Sequence, residues 1–404
     1  MWSRRAPLSS RLMDVIHAGS DRSVVDLAAR LDGAEAIAFD TEFLWERTYY
    51  PRLCLVQVAA EDLLAIVDPL AVQDLTPLWE SLLGGPELVM HAAAHDLDIL
   101  HRAGGRRPAV VFDTQIAAAF LGFGDAPGYE SLVGRVLRRR LAGGEGYTDW
   151  SRRPLADRQI EYALDDVRHL LDLRRALLDD LDARGRAGWV ADETERRFAD
   201  VGEPAEPEEQ WRRVKDARKL RGRALAVLRE AAAWRERVAA ESDENRQRVV
   251  PDRVLVEVAR RAPTDPGQIA RMRGLHPGQA KRAAGPLADA VRRALKLPDH
   301  DWPRWPPKPE MAADPRVDVF ASVLDAVVRS RASELDLAPR LLGTRSDLEE
   351  LARMHLAAGL DGGGSPLLEG WRRTAIGGDL LAVLRGESAV RIATGRNGPE
   401  LRVD

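Results

Sequence analysis

Short apolar runs rich in Val, Ile and Leu are the main feature of the first half of the chain, and helical stretches alternate with them further along. This alternation of strand-like apolar runs with segments of helical periodicity predicts an α/β domain. The first three runs follow one another too closely for helical crossovers, so we expect an antiparallel meander that parallel strands then join, which makes a mixed sheet. The runs read AIAFDTEF, LCLVQVAA, LLAIVDPL and ELVMHA.

The second half of the chain has the helical period throughout. One buried helix stripe is indicated by apolar residues spaced four, three and four apart, at Val227, Ala231, Trp234 and Val238. Asp265 followed by Pro266 predicts a helix N-cap, and Ser346 with Glu349 predicts a capping box. We therefore expect two all-α pieces of similar length, which could be two copies of one module.

Two proline-rich stretches without apolar periodicity divide the chain into three parts. They read VGEPAEPEEQ from Val201 and LPDHDWPRWPPKPEMAADP from Leu297. We accordingly place an α/β domain in residues 1–200, a first helical domain in 208–297 and a second in 310–404. A length of 404 residues suits two or three domains.

The net charge of the chain is −4, but the charged residues are distributed unevenly along it. Residues 1–200 carry 24 Lys and Arg against 33 Asp and Glu, whereas residues 210–300 carry 22 against 11. An excess of cations over one helical piece suits the phosphate backbone of a nucleic acid, and a solvated charged face is the alternative.

Several classes of protein are disfavoured by what the sequence lacks. It has no long uncharged apolar run and no secretory signal at its start, so we expect a cytoplasmic protein with no membrane contact. Cys54 is the only cysteine, which excludes intrachain disulfides and cysteine zinc sites. Phosphate-binding loops, dinucleotide fingerprints and serine nucleophile elbows are also missing, so ATP use, dinucleotide binding and serine hydrolysis lose support.

Two pairs of residues point to metal chemistry. Asp40 and Glu42 end an apolar strand and share one of its faces, where two like charges would raise each other's pKa unless a divalent cation lay between them. A solvated strand end is the alternative. Tyr162 and Asp166 lie four apart in a helical stretch and so share one helix face, although a tyrosine there could simply be core. We expect the neighbouring Asp165 to be solvated.

Two further acids open apparent helices. Asp96 follows the strand ELVM, and its alternative role is a helix N-terminal charge that complements the helix dipole. Asp113 in VVFDTQIAAAF is expected to be a helix cap, with support of the site as the alternative.

The segments DTEF, HAAAHDLDIL and EYALDDV, in this order, resemble the three exonuclease motifs of the DEDD superfamily. Tyr162, four residues before Asp166, makes the third motif similar to that of the DEDDy branch. More narrowly, FDTEFLWERTYYPRLCLVQV, FDTQIAAAFLGF and TDWSRRPLADRQIEYALDDV resemble the ribonuclease D family. The two helical pieces are similar to HRDC domains. The resemblance implies a ribonuclease H-like (DnaQ-like) exonuclease domain with a mixed sheet, followed by two all-α HRDC domains.

The resemblance also implies roles for particular residues. Asp40, Glu42, Asp96 and Asp166 would be the metal-binding carboxylates, Tyr162 would lie near the attacking water, and all five would be catalytic. The cofactors would be two divalent metal ions, Mg²⁺ or Mn²⁺, and the reaction would be 3′-5′ hydrolysis from RNA 3′ ends. The implied substrates are transfer RNA precursors with 3′ extensions, and we expect a monomer. A 3′-5′ DNA exonuclease and a catalytically inactive RNA-binding scaffold stay open as alternatives.

A basic run at the start of the first helical piece is the strongest candidate for RNA binding. Its members are Arg212, Arg213, Lys215, Arg218, Lys219, Arg221 and Arg223. We expect Trp211 beside them to pack in the helical core rather than to stack on a base. A chain ending at residue 205 is therefore expected to hydrolyse short oligonucleotides and to bind long RNA weakly. Relatives commonly have a lysine before TDW, where this chain has Gly143 and Gly144.

Overall fold

A computed structural model describes residues 14–141, 143–144, 148–203, 206–305, 314–358, 364–395 and 398–404. The chain forms two compact units. The sheet unit comprises residues 1–42, 54–202 and 313–404, and the helical unit comprises residues 43–53 and 203–312.

A six-stranded mixed sheet is the centre of the sheet unit, in the order β1-β4-β3-β2-β5-β6. Its strands are β1 (Asp14–Ala18), β2 (Ala36–Leu44), β3 (Arg52–Ala60), β4 (Leu63–Val67), β5 (Glu87–Met90) and β6 (Val110–Asp113). β3 and β4 pair antiparallel, whereas β1 with β4, β2 with β5, and β5 with β6 pair parallel. The predicted mixed sheet is confirmed. β1 was not predicted, because its residues are partly exposed and give no apolar run.

Helices follow the strands wherever the chain crosses over. They are α1 (Asp21–Leu31), α2 (Thr76–Leu83), α3 (Ala94–Gly104), α4 (Thr114–Ala119), α5 (Tyr129–Leu132), α6 (Asp157–Arg168), α7 (Leu170–Ala183) and α8 (Ala187–Phe198). A single π-helical turn, Val133–Leu137, extends α5. The apolar run of β2 is buried up to Phe39, so the sheet core ends where the acidic residues of that strand begin.

The C-terminal part of the sheet unit is helical and ends in a hairpin. Its helices are α14 (Pro315–Leu335), α15 (Pro339–Leu342), α16 (Arg345–Ala358), α17 (Gly370–Arg372) and α18 (Gly378–Leu384). The strands β7 (Val390–Gly395) and β8 (Gly398–Val403) pair antiparallel, so the expectation of an all-α third piece is wrong. Val390, Arg391 and Ile392 alternate apolar and charged residues with the period of two that favours a strand.

The capping box predicted for α16 is displaced by two residues. Thr344 and Asp347 form it in place of Ser346 and Glu349, because the amide of Thr344 donates to Asp347 Oδ2 (2.8 Å) and the amide of Asp347 donates to Thr344 Oγ1 (3.3 Å). Both pairs have the same spacing of three, so the sequence pattern alone did not fix which threonine or serine starts the helix.

In the residues that the structure describes, the helical unit packs five helices around one apolar core. They are α9 (Gly222–Glu241), α10 (Arg246–Val249), α11 (Asp252–Arg261), α12 (Pro266–Ala270) and α13 (Pro277–Leu295). Short 3₁₀ turns at Pro207–Arg213, Ala217–Lys219 and Asp299–Asp301 flank them. Trp211 is buried in this core and Asp265 caps α12 by accepting from the amide of Gly267, so both predictions are confirmed.

The segment 43–53, which follows Glu42 in sequence, is held inside the helical unit by a buried carboxylate. Glu236 accepts a hydrogen bond from the Tyr49 hydroxyl (2.5 Å) and two from the Arg246 guanidinium (2.7 Å each). Asp243 accepts from the amides of Tyr49 and Tyr50. Burial and the hydrogen bond to Glu236 raise the pKa of Tyr49 to about 12.

Among the helices of the described residues, none combines the length and the apolar character that a membrane crossing requires.

Candidate active site

Asp40 and Glu42 lie in the second half of β2, beyond the apolar residues that anchor the strand in the core. Because alternate residues of a strand face the same side, the two carboxylates project together. The parallel strands β2, β5 and β6 all end at the same edge of the sheet, and in open α/β sheets ligands bind outside the carboxyl ends of the strands.

Asp96 reaches this edge from the first turn of α3, which begins four residues after β5 ends. The side chain is buried, and its Oδ1 accepts a hydrogen bond from the hydroxyl of Thr41, the residue between the two acids of β2. A carboxylate in the first helical turn is favoured by the helix dipole. The segment Asp40-Thr41-Glu42 therefore provides two acids, and its threonine orients a third acid, Asp96.

The turn that leads into α3 is held by Asp113 at the end of β6. Its carboxylate accepts from the amides of Ala92 (3.3 Å) and Ala93 (3.0 Å), and also caps α4 by accepting from Gln115 (2.8 Å) and Ile116 (3.2 Å). The predicted cap is confirmed. The additional contacts show that the same side chain positions the start of the helix that carries Asp96.

Replacing Asp113 should loosen this turn. We expect Asp113→Ala to lower the free energy of unfolding by about 2 kcal/mol, because it removes a helix cap and leaves buried amides without acceptors. Urea denaturation monitored by circular dichroism would measure the change. Asp62→Ala, which alters an exposed acid in the turn between β3 and β4, is the matched control. An unchanged midpoint for Asp113→Ala would show that the turn does not depend on this carboxylate.

Tyr162 and Asp166 share one face of α6, as the spacing of four predicts. The aromatic ring of Tyr162 packs against buried Trp150, with 6.1 Å between ring centroids. Asp165 was expected to be solvated, and this is wrong. It is buried, pairs with Arg168, and its backbone carbonyl accepts from the Tyr129 hydroxyl (3.1 Å), because α6 is covered on more than one side.

The carboxyl groups of Glu42, Asp96 and Asp166 lie close enough to Asp40 to raise its pKa. Burial raises the pKa of Asp40 well above its usual range, and repulsion from Asp96, Asp166 and Glu42 raises it further. Burial, then Asp166 and Asp96, raises the pKa of Glu42 to about 9. The pKa of Asp166 rises to about 7 through burial, Asp165 and Asp96, and burial raises that of Asp96 to about 6. The structure thus brings together the four acids that the sequence analysis selected.

The acids are gathered without being arranged as a finished ligand shell. In the part of the chain that the structure describes, no group of three or more His, Cys, Asp or Glu side chains already has the geometry to hold a metal ion. The chemistry of the donor set nevertheless fits a divalent cation, because buried carboxylates that repel one another are stabilised by positive charge between them.

A cavity of about 310 Å³ adjoins Asp166. Tyr129, Tyr162 and Asp166 line one part of it, and Gly143 and Gly144 line another. Both glycines have positive φ values, 61° and 100°, and a Cβ atom at either would meet no atom within 4 Å. Gly143 and Gly144 therefore lie beside the candidate catalytic residues. Tyr129 was missed by the sequence analysis, since its short helix gives no pattern that marks it.

The basic run of the helical unit is at the surface. All seven of its Lys and Arg residues are exposed, although Arg212 pairs with Glu209 and Lys219 pairs with Asp216. The Arg218 guanidinium lies over the ring of Trp305, 5.1 Å from its centroid. Part of the positive charge is thus neutralised locally.

Comparisons with known proteins extend this description. A family model described as a 3′-5′ exonuclease matches residues 19–182, and a model of the HRDC domain matches residues 224–291. The chain is 40% identical over 370 residues to the ribonuclease D of Gluconacetobacter diazotrophicus, a match that covers 88% of this chain and 89% of the relative. It is 37% identical over 375 residues to the ribonuclease D of Granulibacter bethesdensis, with 91% of each protein covered.

A solved structure is similar over nearly the whole chain. The crystal structure of Escherichia coli RNase D, an exoribonuclease involved in structured RNA processing, superimposes with a TM-score of 0.80 at 30% sequence identity. The match covers 93% of this chain and 99% of that one.

Proposed function

This chain belongs to the ribonuclease D family, and we propose from that membership that it is a 3′-5′ exoribonuclease, a phosphodiester hydrolase that removes nucleotides from RNA 3′ ends. The observation that carries the proposal is the meeting of four acidic side chains, from three elements far apart in sequence, at the carboxyl edge of the sheet. An exonuclease model matches the region that contains all four.

The donor set supports a role for divalent cations. Asp40, Glu42, Asp96 and Asp166 would hold two ions, Mg²⁺ or Mn²⁺, since both prefer carboxylate oxygens. When bound, such ions acidify a water molecule and neutralise charge on the leaving oxygen. Thr41 would keep Asp96 turned toward the other acids by its hydrogen bond, and Asp113 would hold the turn before it.

Tyr162 would act on the attacking water. Burial and the neighbouring acids Asp166, Glu42 and Asp40 raise the pKa of this phenol above its usual value, so the hydroxyl keeps its proton at neutral pH. A neutral phenol can orient a water molecule by hydrogen bonding but is a poor general base. We therefore assign Tyr162 to positioning the nucleophile, and we include it with the four acids as the catalytic set.

The remainder of the chain would hold RNA. We propose an exonuclease domain in residues 1–200, an HRDC domain in 208–297 and a second HRDC-like domain in 310–404. The HRDC match supports the middle assignment, and the helices α14 to α18 support a related role for the last. The exposed basic run from Arg212 to Arg223 would contact phosphates, largely without regard to sequence.

Transfer RNA precursors with 3′ extensions are the substrates we propose. The Escherichia coli relative is described as acting in structured RNA processing, and this chain covers almost all of that protein. The monomeric state and the cytoplasmic location stay predictions.

A time course on a 3′-extended transfer RNA, with Mg²⁺, with Mn²⁺ and with chelator, tests the proposal. We expect stepwise shortening from the 3′ end and release of mononucleotides only when a metal is present. A DNA oligonucleotide of matched sequence should react at least about tenfold more slowly, because a ribonuclease can contact the 2′-hydroxyl.

Each alternative has its own outcome in this experiment. Equal rates on RNA and DNA would favour a DNA exonuclease. No release of nucleotides with either metal would favour an inactive scaffold. Shortening that continues in chelator would contradict the metal site.

A further inference from the structure

A second charged cavity, of about 420 Å³, lies in the sheet unit away from the acidic site. Four arginines line it: Arg196 and Arg197 from α8, Arg340 from α15 and Arg372 from α17. The carboxylates at the cavity are Glu193, Asp347 and Asp125. The Arg196 side chain is 56% exposed, so the cavity opens to solvent.

Two of the three carboxylates already accept hydrogen bonds from protein groups. Glu193 is completely buried and accepts hydrogen bonds from Arg196, Arg197, Arg372 and the indole of Trp371. Asp347 accepts from the amide and the hydroxyl of Thr344 at the start of α16. Burial of Glu193 is outweighed by its arginine partners, which hold the pKa of that carboxyl below its usual range, so the group is charged.

Guanidinium donors remain available for a ligand. One carboxylate, Glu193, is shared by three arginines, and each guanidinium carries five N–H donors. Arg197 uses only its Nε toward Glu193, which leaves its terminal nitrogens without an acceptor among the described residues. Arg340 is exposed and has no ion-pair partner in the described part of the chain. The cavity therefore has more cationic donors than its own acids satisfy.

A phosphorylated nucleotide matches this cavity in charge and size. One guanidinium group can bind two phosphate oxygens at once through charge-assisted hydrogen bonds. Leu341, Pro366 and Leu367 give the cavity an apolar wall for a ribose or a base. Its volume lies in the range of about 300 to 1,000 Å³ that small-molecule sites occupy, and exceeds what an inorganic anion alone would fill.

We propose that the arginine cavity formed by α8, α15 and α17 is a second nucleotide-phosphate site, separate from the acidic site. The phosphate can come from a nucleotide within an RNA strand or from a free nucleoside monophosphate, the class of product that an exoribonuclease releases. Identifying these two sources rests on the proposed function, whereas the anion site itself rests on the arginines.

The test measures binding by the full-length chain in chelator, where no hydrolysis occurs. A fluorescent single-stranded RNA is titrated by anisotropy at several salt concentrations, and adenosine monophosphate by calorimetry. Arg340→Glu is the main variant, because Arg340 is exposed and has no ion-pair partner among the described residues. Arg196→Gln is the second variant. Arg373→Glu makes the same charge change at an exposed residue next to Arg372 that does not line the cavity.

For the RNA source, we expect Arg340→Glu to weaken RNA binding about tenfold and to reduce the slope of log affinity against log salt by about one, with a smaller effect for Arg196→Gln. For the free nucleotide, the same variants should instead weaken only the binding of adenosine monophosphate. Arg373→Glu should match the unmodified chain in both titrations.

Two results would overturn the site: unchanged binding of both probes in Arg340→Glu and Arg196→Gln, or an equal loss in Arg373→Glu. The proposed function fails separately. A chain that binds through the arginines but never releases nucleotides with metal would retain the cavity and lose the nuclease assignment.

Discussion

Asp40→Asn and Asp166→Asn should each lower kcat on a 3′-labelled RNA about a thousandfold, equivalent to about 4 kcal/mol of barrier. Asparagine keeps the size of the side chain but removes the charge that the acidic site offers to a divalent cation. The two residues come from β2 and α6, so equal losses would show that both elements serve one site. Single-turnover hydrolysis with saturating Mg²⁺ or Mn²⁺ is the measurement.

A loss of folding has to be separated from a loss of chemistry in these variants. Each substitution replaces a buried carboxyl group, whose ionised form is disfavoured by burial and by its acidic neighbours, with a neutral amide, so in chelator neither variant should unfold at a lower urea concentration than the unmodified chain. Asp157→Asn, which changes an exposed acid on the same helix as Asp166, should keep full activity. Near-normal rates in Asp40→Asn or Asp166→Asn would refute the assignment of the site.

The candidate acids could be predicted because local geometry decides which side chains share a face. A spacing of two on a strand placed Asp40 and Glu42 together, and a spacing of four on a helix did the same for Tyr162 and Asp166. The ribonuclease D resemblance then linked these pairs to Asp96. Local periodicity gave no information about Thr41 and Tyr129, whose contacts to Asp96 and Asp165 depend on tertiary packing.

The assignment of segments to the two units was harder to predict than the helices and strands themselves. Proline-rich stretches divide the sequence, yet the structure combines residues 313–404 with the sheet unit and segment 43–53 with the helical unit. Single buried acids hold these two segments in their units. Glu236 accepts a hydrogen bond from Tyr49, and Glu193 accepts one from Arg372. A lone buried acid has no sequence signature, because its partners are distant in the chain.

Because residues 313–404 belong to the sheet unit, truncation before them should affect the stability of that unit. Trp371 is buried against Phe120 and Trp189, with ring centroids 4.7 Å and 5.5 Å away. The Arg186 guanidinium donates to the carbonyls of Phe120 (2.7 Å) and Leu335 (2.6 Å). A chain ending at residue 205 would expose this aromatic cluster and leave Glu193 without Arg372. The structure therefore favours the opposite of the expectation that such a fragment still hydrolyses short oligonucleotides.

We expect the chain that ends at residue 205 to lose at least about 5 kcal/mol of unfolding free energy relative to the sheet unit of the full chain. That loss is comparable with the whole stability of many domains, about 5 to 15 kcal/mol, so the fragment should be largely unfolded or aggregated. Glu193→Ala in the full chain should reproduce about 3 kcal/mol of it, because three arginines and one indole lose their buried acceptor.

Urea denaturation followed by tryptophan fluorescence and circular dichroism distinguishes packing from mere chain length. A chain ending at residue 388 removes the hairpin of β7 and β8 but keeps Trp371 and Arg372, so it should unfold close to the midpoint of the full chain. If the fragment ending at residue 205 were as stable as that control, the aromatic and arginine contacts with the C-terminal helices would not contribute to the sheet unit. The exonuclease region would then be an independent domain, as the proline-rich boundary at Val201 first indicated.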